Sequence, residues 1–80
     1  MNRNEIMDVI NTVLKNQGRQ EVSNEEVELI SAGFRSLDFA EAAVRIEECL
    51  GCELNFGAAA VRQIRTVKDI IDFFVDSTKA

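Results

Sequence analysis

Apolar residues recur at helical spacing in three stretches of the chain. Ile6, Val9, Ile10, Val13 and Leu14 fall at three- and four-residue steps, while Glu5, Asp8, Asn11, Thr12 and Lys15 mark a wet side. This predicts a helix over Arg3–Asn16, capped by Asn4 or Asn2 and stopped at Gly18. A second stripe, Phe39, Ala42, Ala43, Ile46, Cys49 and Leu50, predicts a helix over Ser36–Leu50 that Gly51 ends. Its opposite face carries Leu37, Ala40, Glu41, Val44, Glu47 and Glu48, an apolar ridge edged with acid and interrupted by Arg45. Val67, Ile70, Ile71 and Phe74, with Phe73 beside them, predict a third helix over 66–76, opened by a Thr66/Asp69 capping-box variant.

The connections differ in character. Residues 17–34 form a long polar link, and such a link needs a task or packing of its own. Within it Ser23 and Glu26 match the S/T-x-x-E capping box, predicting a short turn whose Val27, Leu29 and Ile30 tuck under the bundle. Residues 57–62, Gly57 to Arg62, are alanine-rich and predict a marginal short helix with Asn55 as its cap. A polar tail, about 77–80, is expected to fray. No strand-like alternation and no repeat competes. The expected fold is all-α: one domain over 1–80, a small bundle of three main helices plus one or two short ones.

Composition narrows the function. Eighty residues leave little room for an enclosed active site. The net charge of −5 comes without a basic stripe, which argues against nucleic acid and favours basic protein partners. No apolar run is long enough to span a bilayer and no signal-like block follows Met1, so no membrane insertion and a cytoplasmic location are expected. Cys49 and Cys52 form one C-x-x-C, too few thiols to close a zinc site in a chain without histidine. They read as small apolar or incidental residues rather than a redox pair, with Cys49 on the inward stripe. The absence of histidine also removes the usual Ser-His pair and the commonest general base. No catalytic site and no metal are expected.

One stretch concentrates the remaining chemistry: Gly33-Phe34-Arg35-Ser36-Leu37-Asp38-Phe39-Ala40-Glu41. Glycine permits the turn, Ser36 suits an N-cap, and Asp38 and Glu41 fall in or just beyond the first helical turn. The serine hydroxyl would then stand beside free backbone N–H groups, a place suited to a phosphate. On these residues alone Ser36 is simply a cap. The stretch, however, resembles the serine motif of acyl carrier proteins, usually Asp-Ser-Leu, and the likeness runs on through Glu47-Glu48 and from Ile64 to Phe73.

That resemblance implies a non-enzymatic, monomeric carrier. A phosphopantetheinyl transferase would attach a 4′-phosphopantetheine arm from coenzyme A to Ser36, flanked by Gly33, Arg35, Leu37 and Asp38. The arm's thiol would hold an acyl group as a thioester. Acyl-loading and acyl-processing enzymes would read the second helix through Leu37, Ala40, Glu41, Val44, Glu47 and Glu48, serving fatty acid, lipid, polyketide or other secondary-metabolite synthesis. The long link would be the family's loop, ending just before the serine. Three departures point to a specialised member outside mainstream fatty-acid synthesis. Arg35 stands where the motif has aspartate, either hindering transferases that read the acid or pairing with the phosphodiester. The segment 54–66 is slightly longer than usual and carries Arg62 and Arg65 in place of acids. Ala40, Ala42 and Ala43 are small, which would either leave room for a cargo chain or let helices approach closely. The alternative is an unmodified carrier-like interaction module that binds a basic partner through the acidic second helix. Ser36→Ala separates the two, because only a carrier needs the hydroxyl.

Overall fold

The computed structural model describes residues 1–54 and 57–78. It contains α1 (Arg3–Asn16), α2 (Leu29–Ala32), α3 (Ser36–Leu50), α4 (Ala58–Arg62) and α5 (Val67–Ser77), and no strand among the described residues. The three long helices are the three predicted from periodicity. α1 packs against both α3 and α5. Ile6, Ile10, Val13 and Leu14 of α1 meet Phe39, Ala42, Ala43 and Ile46 of α3 and Val67, Ile70, Ile71 and Phe74 of α5 in one buried core.

Local chemistry sets the helix ends. Asn2 caps α1: its side chain accepts the Glu5 N–H at 2.9 Å, and Glu5 accepts the Asn2 N–H at 2.9 Å. Thr66 and Asp69 form the same reciprocal pair at the start of α5. That helix runs through Ser77, and the Thr78 hydroxyl accepts from the Met1 amino group at 3.3 Å. Gly57 is the N-cap position of α4; the Asn55 cap expected there lies outside the described residues.

The long link departs from its expected form. Ser23 and Glu26 open no helix. Asn24 instead accepts the Glu26 N–H at 2.8 Å in a tight turn, and α2 starts only at Leu29, behind Glu28. Leu29 is buried and Val27 half-buried as expected, but Ile30 is 88% exposed. Consecutive helical residues point about 100° apart, so on this single turn Leu29 faces the core while Ile30 faces solvent. Cys49 is also exposed, not inward as expected. Asn11, read as wet, fastens the link. It donates to the Val22 carbonyl at 2.9 Å and accepts the Val22 N–H at 2.7 Å.

Further ties hold the link to the last helix. Leu29 N–H donates to the Arg65 carbonyl and Val67 N–H to the Val27 carbonyl, each at 2.9 Å, beside an antiparallel bridge between Glu28 and Thr66. Arg3 of α1 pairs with Glu25 of the link and with Asp72 of α5. The Arg3 guanidinium holds the Glu25 and Asp72 carboxyls below their usual range, and the N–H groups of Arg65 and Thr66 do the same for Asp69. A carboxylate whose pKa is lower folded than unfolded adds stability above its unfolded pKa and loses it as pH falls through the folded one. Tm is therefore expected to hold from neutrality to about pH 5 and to fall below about pH 4. Arg3→Gln should make that acid limb shallower, leaving the share owed to Asp69. The effect is modest and shrinks in salt, since all three partners are partly exposed. Thermal melts from pH 6 to 3 check this, and equal slopes for parent and variant would refute it.

Candidate functional site

The turn into α3 is built from its backbone outward. Gly33 ends α2 in the left-handed region at φ +80, and the Phe34 N–H folds back to the Leu29 carbonyl at 2.9 Å. A side chain at Gly33 would be strained there, and its Cβ would lie 3.1 Å from Arg19 Nε. Gly33→Ala should cost about 1–2 kcal/mol, which in a domain this small lowers Tm by roughly 5–15 °C. A melt unchanged within about 2 °C would show that the turn relaxes at no cost.

Ser36 is not the cap. Arg35 occupies the N-cap position with extended backbone, φ −117 and ψ 179, and Ser36 is the first helical residue. Half of a capping box survives: Asp38, buried at 5% exposure, accepts the Arg35 N–H at 2.8 Å. The reciprocal half is missing because a guanidinium has no acceptor. Phe34 and Phe39 then hold the N′ and N4 positions of a hydrophobic staple, both buried. Ser36 is left exposed, and its hydroxyl makes no hydrogen bond among the described residues.

Beside it lies an open cleft of about 770 Å³ between α2, α3, α4 and the end of the long link. Leu29, Phe34, Phe39, Val61 and Ile64 supply its apolar wall. Arg19, Arg35, Arg65 and Glu28 supply the charge, with Gly33 and Ser36 on the same lining. Of the residues predicted around the serine, Gly33 and Arg35 thus share the cleft with it. Leu37 projects away at 84% exposure, and Asp38 is turned inward as a structural acceptor. None of Ala40, Ala42 and Ala43 lines the cleft; Ala42 and Ala43 are buried in the core, where small side chains allow close helix packing, and Ala40 is exposed.

The outer face of α3 is partly as expected. Leu37, Ala40, Val44 and Glu48 are exposed along it. Glu41 is half-buried and pairs with Arg45, while Glu47 accepts the Leu54 N–H at 2.7 Å and so holds the turn after α3. The acidic edge is therefore thinner than the sequence suggests. Arg19 was missed altogether, because nothing near it in sequence signals that the link returns to Gly33. The Phe34/Phe39 spacing, by contrast, was a legible staple once the cap moves back by one residue. Among the described residues no His, Cys, Asp and Glu cluster could hold a metal ion, and no helix is long and apolar enough to cross a membrane.

No protein-family model matches the chain, and no curated protein matches it in sequence. In structure it is similar to an acyl carrier protein from Thermotoga maritima, known from a crystal structure. The superposition covers 96% of this chain and 91% of that one, with a TM-score of 0.72 at 24% identity. The fold is the acyl carrier fold.

Proposed function

We propose that the chain is a carrier whose Ser36 hydroxyl receives a 4′-phosphopantetheine arm and presents acyl groups to partner enzymes. The observation that supports it most is the exposed, unbonded Ser36 hydroxyl on the first turn of α3 in this fold, at the mouth of a cleft. In the loading step a phosphopantetheinyl transferase joins Ser36 Oγ to phosphorus, the pyrophosphate link of coenzyme A breaks, and the nucleotide leaves. The residues present suit the group. Arg35 and its neighbours can meet a phosphodiester, and an apolar wall lies beside it. Once attached, the arm supplies a thiol that carries the acyl group as a thioester.

The protein's own part is positioning. The staple and the Gly33 turn fix where the serine stands, and α1 and α5 brace α3 from behind. Leu37 and Val44, one face of α3 at 84% and 49% exposure, offer the apolar contact for loading and processing enzymes, with Ala40 between them and Glu48 at the rim. Glu41 and Glu47 contribute charge at this surface while bonded within the chain. A monomer working in the cytoplasm fits this use. The same ridge would also serve an unmodified interaction module, so the hydroxyl decides between the two. The test is intact mass after incubation with coenzyme A, magnesium and a broad-specificity transferase. A gain of one arm on the native chain is expected. No gain, with that transferase or in protein taken from cells, would refute the carrier reading.

A further inference from the structure

The paired cysteines have no part in the carrier reading. Cys49 and Cys52 are both free and both exposed. Cysteine is among the residue types most often buried, so two surface thiols in one C-x-x-C gain little from packing. They flank the end of α3, where Gly51 turns the chain off the helix at φ 72 and ψ 21. Two hydrogen bonds hold that turn, both to Glu47. Its carbonyl accepts the Gly51 N–H at 2.8 Å, and its carboxylate accepts the Leu54 N–H at 2.7 Å. Beyond the adjoining residues nothing lies within 4 Å of where a Gly51 Cβ would stand, so no packed neighbour fixes the turn. Along a continuous helix, residues three apart have Cα atoms about 5 Å from one another, inside the range a disulfide spans. The left-handed Gly51 carries Cys52 away from that path. Glycine crosses between left- and right-handed backbone at little cost, so this one residue can bring the sulfurs together.

The surroundings select the reagent. Cys52 lines a shallow groove of about 270 Å³ with Val44, Glu47, Glu48, Gly51 and Glu53, and no basic side chain shares that lining. Such a rim attracts a cation and repels an anion. We propose that Cys49 and Cys52 are a reversible modification site, oxidised by small cationic disulfides and closed into one intramolecular disulfide. One protein thiolate attacks the reagent, its S–S bond breaks, and a first small thiol leaves. The second protein thiolate attacks the protein sulfur of that mixed disulfide, and a second small thiol leaves. The chain gives up two protons and two electrons, and the reagent takes them. Closure draws Gly51 out of the left-handed region, breaks its bond to Glu47 and parts the Glu47 carboxylate from Leu54. That carboxylate then joins Glu48 on the outer rim of α3. What this does to docking rests on the carrier reading; the thiol chemistry does not.

The experiment incubates the full chain, dilute and at low salt, with one equivalent of cystamine, a dicationic disulfide, and follows intact mass and backbone amides by two-dimensional NMR. The expected product is a monomer lighter by two hydrogens, restored by dithiothreitol. Cys49→Ser and Cys52→Ser should each stop at a single mixed disulfide. Closure should shift the amides of Gly51 and Leu54 and leave those of Ile10 and Ile70 in place. Cystamine should react at least about fivefold faster than the anionic glutathione disulfide, and salt of about 0.5 M should shrink that ratio at least threefold. No reaction of the folded chain, two lasting adducts per chain, a covalent dimer, unmoved Gly51 and Leu54 amides, or a rate ratio indifferent to salt would each overturn the proposal. Because neither step uses Ser36, failure of that serine to accept an arm leaves these outcomes intact.

Discussion

Ser36→Ala is expected to abolish the mass gain on incubation with coenzyme A and transferase while leaving the protein as stable as the parent. Both halves follow from position. Only the hydroxyl offers an oxygen for the phosphodiester, so loss should be complete rather than partial. Were Ser36 the N-cap, its removal would cost about 1 kcal/mol, or roughly 4–8 °C in Tm for a domain this size. It is instead the first helical residue, with a hydroxyl that bonds to nothing described, and alanine is favoured inside a helix. Tm should therefore stay within about 3 °C of the parent. A full capping-sized drop would show that the serine closes the helix after all. A retained mass gain would place the arm on another residue and sink the assignment to Ser36. Because the substitution leaves Leu37, Val44 and Glu48 in place, binding of a partner that needs no arm should survive it.

Phe39→Ala should be the most damaging single change to the fold. Phe39 stacks on Phe74 with ring centroids 5.2 Å apart and meets Phe73 at 5.8 Å, joining α3 to α5. It is 6% exposed, and it is also the inner half of the staple that orients the Ser36 turn. Truncating a buried phenylalanine costs about 3–5 kcal/mol through lost transfer energy and the cavity left behind. Small domains have only about 5–15 kcal/mol in total, so a Tm drop of roughly 15 °C or more is expected. Phe39→Leu, which refills most of the space, should lose about 1–2 kcal/mol and keep a cooperative melt. Thermal unfolding followed by circular dichroism reads both. A loss under about 5 °C for the alanine variant would mean that the aromatic cluster does not anchor α3. Loading of Ser36 in the leucine variant should persist, since the turn and its Gly33 are untouched.

The helices were legible because their information is local. Ile6, Ile10, Val13 and Leu14 repeat at the helical period whatever they pack against, and Asn2 and Thr66 carry their cap partners three residues away. The start of α3 was legible to within one residue. Ser36 looked the better cap, but Asp38 at the third helical position and the Phe34/Phe39 staple both place the cap at Arg35. Backbone and burial together outweigh the intrinsic preference of one side chain, whose contribution is only about 1 kcal/mol.

What tertiary structure alone decided is how the long link returns. Its Ser23/Glu26 signal was local and lost to an Asn24 turn, because the segment is held from outside by Asn11, Arg3, Arg65 and Val67. Those partners lie far along the chain, so no spacing within the link announces them. The same return lays Arg19 on Gly33 and sets it with Arg35 and Arg65 around one cleft, although 45 positions separate the outer two. Periodicity records which face of a helix is buried. It cannot record which distant charges a folded loop brings to one rim, since that depends on contacts between segments rather than within them.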